Sequence, residues 1–93
     1  MVRIVTVCGA GIGSSVMLKH YTEQILKTEG IEAEVEANEI STVCPDEYDI
    51  VITTSAFADV LRNCTAQLII NDNITDKVTL RNNLLETIKQ LNG

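Results

Sequence analysis

The sequence predicts an α/β fold, a three-layer domain around a four-stranded parallel sheet. Three observations point to it. Val2 to Val7 and the run Ile50, Val51, Ile52 are β-branched and apolar on both faces, the habit of strands covered by helices on both sides. Stretches of helical period alternate with these strands, and such alternation builds parallel sheets through right-handed crossovers. The chain has 93 residues, which fits a single domain, 1–93, with a radius of gyration of roughly 12 Å.

The first strand, Val2 to Val7, stops at Cys8-Gly9-Ala10-Gly11-Ile12-Gly13-Ser14-Ser15. From Ser14 the period becomes helical, with Leu18, Tyr21 and Ile25 on one stripe and Met17 and Leu26 beside it. Gly30 follows Lys27 and Glu29 as the left-handed residue that ends a helix. Glu32, Glu34 and Glu36 then alternate with Ala33, Val35 and Ala37, the pattern of a half-exposed edge strand whose carboxylates prevent mispairing. Cys44-Pro45-Asp46 breaks the chain before the third strand, Asp49 to Thr54. Ser55 caps a short helix carrying Phe57, Val60 and Leu61 and ending near Asn63. Gln67 to Ile70 is the fourth strand, stopped by Asn71-Asp72-Asn73. Thr75 and Asp76 open a last helix with an apolar stripe of Val78, Leu84, Leu85, Ile88 and Leu91. With the alternating strand at an edge and the β-branched runs central, the strand order is 2-1-3-4, a truncated flavodoxin-like arrangement.

Composition removes several function classes. With 13 Asp+Glu against 7 Lys+Arg there is no basic stripe for a nucleic-acid backbone. Tyr21, Tyr48 and Phe57 are too few for base stacking. Apolar runs fall far short of the ~20 residues a membrane-spanning helix needs, and glycines interrupt the N-terminal run that a secretion signal would require. The three cysteines are Cys8, Cys44 and Cys64, an odd and widely spaced set. No C-x-x-C occurs, so neither a zinc ribbon nor a disulfide framework is expected, and a reducing, cytoplasmic compartment is.

The chemistry is expected at the Cys8-to-Ser15 loop. In open α/β sheets ligands bind beyond the carboxyl ends of the strands where the strand order reverses, here between the first and third strands. Glycines let several N–H groups point into one concavity, an anion nest. The following helix adds its positive dipole end, and Ser14 and Ser15 cap it or donate to an oxyanion. A thiol so placed has its pKa lowered into the reactive range. Gly9-x-Gly11-x-Gly13 departs from the dinucleotide fingerprint, because Ser14 stands where a third glycine would be. Low-molecular-weight tyrosine phosphatases use C-x5-R-[ST], but no arginine lies between Cys8 and Arg62. Without a guanidinium clamp, hydrolysis loses its main electrostatic stabiliser, and a phosphoryl group on Cys8 would persist long enough to be passed on.

Val7-Cys8-Gly9-Ala10-Gly11-Ile12-Gly13-Ser14-Ser15 followed by an apolar helix resembles the IIB component of the bacterial phosphoenolpyruvate-dependent sugar phosphotransferase system (PTS). The loop is most similar to the ascorbate branch, on Gly13-Ser14-Ser15, with galactitol and lactose/cellobiose IIB domains as relatives. The resemblance spans nearly the whole chain in order of elements and is specific over Cys8 to Ser15. It implies a cytoplasmic phosphotransferase component with a phosphocysteine intermediate and no cofactor or metal. Cys8 would be the nucleophile, taking a phosphoryl group from a phosphohistidine on the IIA component. The N–H groups of Gly9, Ala10, Gly11, Ile12, Gly13, Ser14 and Ser15 would cradle its oxygens. The group would then pass to a sugar held by the membrane-embedded IIC component. The donor is a phosphoramidate with a good leaving group, so positioning and electrostatics would carry most of the rate. A phosphatase-like enzyme using Cys8 and a nucleotide-binding module using the glycine loop are the alternatives.

Other polar residues have plainer readings. His20 and Lys19 lie on a solvated helix face, and Cys44 and Cys64 lack a glycine nest. Glu32, Glu34, Glu36 and Glu39 are solvated rather than metal ligands. Ser55 and Asp72 stand near the carboxyl ends of the third and fourth strands, as a cap and a turn residue. Met17 and Tyr21 are core, whereas Ile12 and Val16 are exposed apolar contacts beside the loop.

Overall fold

A β-branched strand with no polar face of its own must be covered twice, and the architecture follows from that requirement. The computed structural model describes residues 2–8, 12–39, 42–61, 65–71 and 77–92. Its elements in chain order are β1 (Val2–Cys8), α1 (Ile12–Thr28), β2 (Ala33–Glu39), a 3-10 turn (Pro45–Glu47), β3 (Ile50–Thr53), α2 (Ser55–Leu61), β4 (Gln67–Ile70) and α3 (Lys77–Asn92). The sheet order is β2-β1-β3-β4, with every pairing parallel. This is the expected order 2-1-3-4. The radius of gyration is 11.8 Å.

All of β1 pairs with β2, from Val2 against Ala33 to Cys8 against Glu39. On its other side Ile4, Val5 and Thr6 pair with Ile50, Val51 and Ile52. The two faces of the sheet carry separate cores. Ile4, Ile50, Ile52 and Ile69 pack with Leu18, Ile25 and Leu26 of α1 and Leu80, Leu84 and Ile88 of α3. Val5, Val7 and Val51 pack with Tyr48 and with Leu61 of α2.

Helix α1 ends as its sequence predicts. Gly30 adopts φ +70°, its N–H donates to Lys27 O at 3.2 Å, and the Ile31 N–H donates to Leu26 O at 2.9 Å. This paired closure is the Schellman motif, and Ile31 packs against the core that contains Leu26.

Several side chains lie elsewhere than the periodicity suggested. Met17, read as core, is 49 % exposed, and Val78, read into the stripe of α3, is 68 % exposed. The buried stripe of α3 is Leu80, Leu84 and Ile88 instead. Met17 lies in the second turn of α1 and Val78 in the first turn of α3, near the ends of their helices at the carboxyl edge of the sheet. Val60, in the last turn of α2, is also exposed, because this short helix covers little of the sheet on its side. Helix α1 begins at Ile12, two residues before the expected Ser14, and the expected opening of α3 at Thr75 and Asp76 lies outside the described residues. Ser55 is the first residue of α2 rather than the residue before it, and the Thr54 carbonyl accepts the opening bond from the Phe57 N–H at 3.1 Å.

A methyl group added at Gly30 would meet nothing within 4 Å, so any cost of Gly30→Ala comes from the left-handed backbone alone. Urea unfolding is expected to show a loss of about 1 kcal/mol.

Candidate functional site

Strand order sets where a ligand can sit. The chain leaves β1 for β2 on one side and continues through β3 to β4 on the other, so crossovers diverge between β1 and β3. A crevice opens at the carboxyl ends of these two strands. Cys8 is the last residue of β1, and the first turn of α1 contains Ile12, Gly13, Ser14 and Ser15. Gly9, Ala10 and Gly11 lie outside the described residues. The structure thus places Cys8 at the switch point, and a 17-residue helix starts four residues after it.

That helix start carries unpaired N–H groups and a positive partial charge. Its first turn contains no acidic residue, so no carboxylate of its own competes for the dipole. Because the helix starts at Ile12, Ser14 and Ser15 fall inside the first turn instead of at the cap expected of them.

The floor of the crevice is held by hydrogen bonds between strand ends. Buried Thr53 of β3 donates its hydroxyl to Val7 O at 3.2 Å. The Asn71 N–H donates to Thr53 O at 2.7 Å, continuing the ladder past β4. Asn71 is buried, yet among the described residues its Nδ2 has no hydrogen-bond partner. Leaving such a donor unpaired costs about 1–3 kcal/mol. Sequence reasoning read Asn71 only as part of a turn.

Exposed apolar groups surround this edge. Of the six large exposed hydrophobic residues among those described, Val16, Met17, Ile70 and Val78 belong to the ends of α1, β4 and α3 that face it. Val16 is exposed as expected, and the side chain of Ile12 lies outside the description.

Remaining candidates fall away from the crevice. His20 is eight residues into α1, roughly 12 Å along its axis from Ile12. It is exposed and its Nε2 lies 3.2 Å from Gln24 Nε2. Lys19 is half-buried on the same helix, and Cys44 is exposed in the connector before β3. Cys64 and Asp72 lie outside the described residues. Among the described residues, no three His, Cys, Asp or Glu side chains gather to hold a metal ion.

The glutamates of β2 have partners that periodicity did not reveal. Glu34 lies 3.6 Å from Arg3 Nε. Glu36 accepts a short hydrogen bond from the Tyr48 hydroxyl, to which Asn38 Nδ2 also donates at 3.2 Å. The Arg3 guanidinium lies 5.1 Å from the centre of the Tyr48 ring, within cation–π range. The Glu36 carboxylate holds the phenolic proton and burial adds to its effect, so Tyr48 is raised above its ordinary value near 10. A raised folded-state value favours the protonated phenol, so this contribution to stability is intact below pH 10 and lost as the pH climbs through the folded value. Tyr48→Phe is expected to remove one late step from the alkaline tyrosine absorbance titration. It should also flatten the fall in stability above pH 10.

The family model described as the PTS system lactose/cellobiose-specific IIB subunit matches residues 3–87. No curated protein matches the chain in sequence. Among solved structures, the chain is similar to the lactose-specific IIB component domain of the phosphoenolpyruvate:carbohydrate phosphotransferase system of Streptococcus pneumoniae. The TM-score is 0.67 at 11 % identity, over 97 % of this chain and 93 % of that one. A low molecular weight protein tyrosine phosphatase from Bacillus subtilis gives 0.55 at 13 % identity, over 96 % and 93 %. An Enzyme IIB subunit from Escherichia coli K12 gives 0.52 at 14 % identity, over 96 % and 90 %. At these identities the likeness is one of fold.

Proposed function

The chain belongs to the lactose/cellobiose-specific IIB subunit family of the phosphotransferase system, and from that premise we propose that it is a phosphocarrier that works through Cys8. The observation that carries the reading is the station of Cys8, at the end of a doubly paired strand and just before a long helix whose first turn has no carboxylate. The Cys8 thiolate attacks the phosphorus of a phosphohistidine on a IIA component. A P–S bond forms as the P–N bond breaks, and the departing imidazole nitrogen takes up a proton from solvent. A hydroxyl of the sugar held by a IIC component then attacks the same phosphorus. A P–O bond forms, the P–S bond breaks, the hydroxyl proton departs to solvent and the thiolate of Cys8 is regenerated.

Gly9, Ala10, Gly11, Ile12, Gly13, Ser14 and Ser15 bind the phosphoryl oxygens through their N–H groups in this reading, aided by the two serine hydroxyls. Oriented N–H groups stabilise the charge that develops in transfer without a general acid. The sugar is L-ascorbate-like or another carbohydrate. The ascorbate branch is supported by the loop ending Gly13-Ser14-Ser15 alone, whereas the matching family is of lactose/cellobiose description. The carrier works at the cytoplasmic side of the membrane, where its donor is charged. No helix among the described residues is long and apolar enough to cross a membrane, and the membrane step belongs to the IIC partner.

A phosphatase-like activity is the second reading, favoured by the fold likeness to the Bacillus subtilis enzyme. The chain lacks an arginine between Cys8 and Arg62, which removes the clamp that phosphomonoester hydrolysis uses.

Incubation with phosphoenolpyruvate, the general phosphotransferase proteins and a IIA component is expected to add the mass of one phosphoryl group, read near neutral pH because thiophosphates are acid-labile. Cys8→Ser should abolish the gain. No gain from a donor shown to be phosphorylated, or a gain that survives Cys8→Ser, would overturn the reading. Steady turnover of an aryl phosphate, lost in Cys8→Ser, would establish the phosphatase instead. Val16, Met17, Ile70 and Val78 form the rim on which the partners dock in turn. Val16→Asp and Val78→Asp should each slow charging about tenfold, on the order of 1.4 kcal/mol. That loss should appear in the concentration dependence on the IIA component and leave the melting temperature unchanged.

A further inference from the structure

One polar group at the carboxyl edge is used neither by the fold nor by the relay chemistry. Asn71 is 4 % exposed, and its buried Nδ2 has no partner among the described residues. Its backbone is held in place, since its N–H extends the β3–β4 ladder by bonding Thr53 O at 2.7 Å. Buried amides nearly always have partners, and a native protein that leaves one unpaired commonly does so where a ligand or a functional group supplies the missing contact.

The register shows which group is within reach. Thr53 pairs with Ile70 and Thr6 pairs with Ile52. Continued past the last pairs, these ladders set Cys8, Thr54 and Asn71 in one row across the carboxyl edge. Neighbouring strands lie about 4.8 Å apart, so the Cα atoms of Cys8 and Asn71 are separated by roughly 10 Å. A phosphoryl group on a cysteine sulfur and the amide of an asparagine together span such a gap. Asn71 is also two residues beyond Ile69, which packs in the core beneath α1 and α3. Strand alternation therefore sets Asn71 on the face over which α1 lies.

Building on the phosphocysteine reading, we propose that Asn71 is a phosphoryl-binding residue, whose Nδ2–H donates to an oxygen of the phosphoryl group carried on Cys8. The segment Cys8 to Ser15 has no arginine to cover that charge, and the described start of α1 follows β1 on one side of it. An amide approaching from β4 supplies a donor on the opposite flank. Being neutral, it steadies the group without the strong activation towards water that a guanidinium gives.

The test compares the wild type with Asn71→Leu, charged on Cys8 by phosphoenolpyruvate, the general phosphotransferase proteins and a IIA component. Intact mass near neutral pH reads the charging. Asn71→Leu is expected to melt within a few degrees of the wild type, since it removes an unpaired buried amide, yet to charge at least about tenfold more slowly. In the wild type, the side-chain amide proton resonances of Asn71 should move downfield on charging. Charging of the wild type with those resonances unmoved, or charging of Asn71→Leu within twofold of the wild type, would overturn the proposal and leave the phosphocysteine relay standing. Should Asn71→Leu fail to fold, the wild-type resonances decide alone. Failure of the wild type to charge from a phosphorylated donor would overturn the relay, and this role of Asn71 with it.

Discussion

Everything at the carboxyl edge depends on β1 being gripped from four directions. Each of its residues pairs with β2, three pair with β3, and a core closes each face. The Thr53 hydroxyl adds a further bond to the Val7 carbonyl. The backbone of Cys8 is thereby stationed by the sheet, whatever its own side chain touches. For a reaction in which the leaving group needs little help, that kind of placement supplies much of the rate. Divergence of the crossovers on either side of β1 then leaves the space above it open.

The polar face of β2 has a cause beyond protection of an edge. Connections between parallel strands usually pass through a helix, but β2 reaches β3 through a connector with only one 3-10 turn, Pro45–Glu47. Helix α1 covers the Ala33 and Val35 face of β2, and among the described residues no helix covers the opposite face, so Glu34, Glu36 and Asn38 are polar without cost. Tyr48 takes over part of the covering, with its ring in the core and its hydroxyl on Glu36. Arg3 closes the arrangement from β1, over the ring and beside Glu34. A folded connector and two strands thus share a polar cluster on that face of the sheet.

Strands were read from the sequence more faithfully than helix faces. Gln67 to Ile70 is placed to the residue, because a short apolar run and the following Asn-Asp-Asn are local signals. Stripes on helices depend on where the sheet stops, which is not local information. Met17 and Val78 have the right spacing for a core but overhang its edge, and Leu80 was overlooked although it is fully buried. The candidate site was legible where it rests on residue type, a thiol followed by glycines and serines at a strand end. Asn71 was not, since an asparagine after a strand looks like a turn residue until its burial is known. The pairing of Tyr48 with Glu36 was equally hidden, because it joins residues from the edge strand and a connector.

The two cores are unequal, and this bears on how the domain opens. Ten buried residues join α1 and α3 to the sheet, whereas five serve the side of α2 and the connector. Segments with fewer buried apolar contacts open locally at lower free energy than the global transition. On that ground the connector and α2 are expected to form the more labile unit, their amides exchanging with solvent ahead of those in the buried parts of α1, α3 and the inner strands. Cys8 ends a strand paired with β2 along its whole length, so breathing on the α2 side leaves its backbone in register.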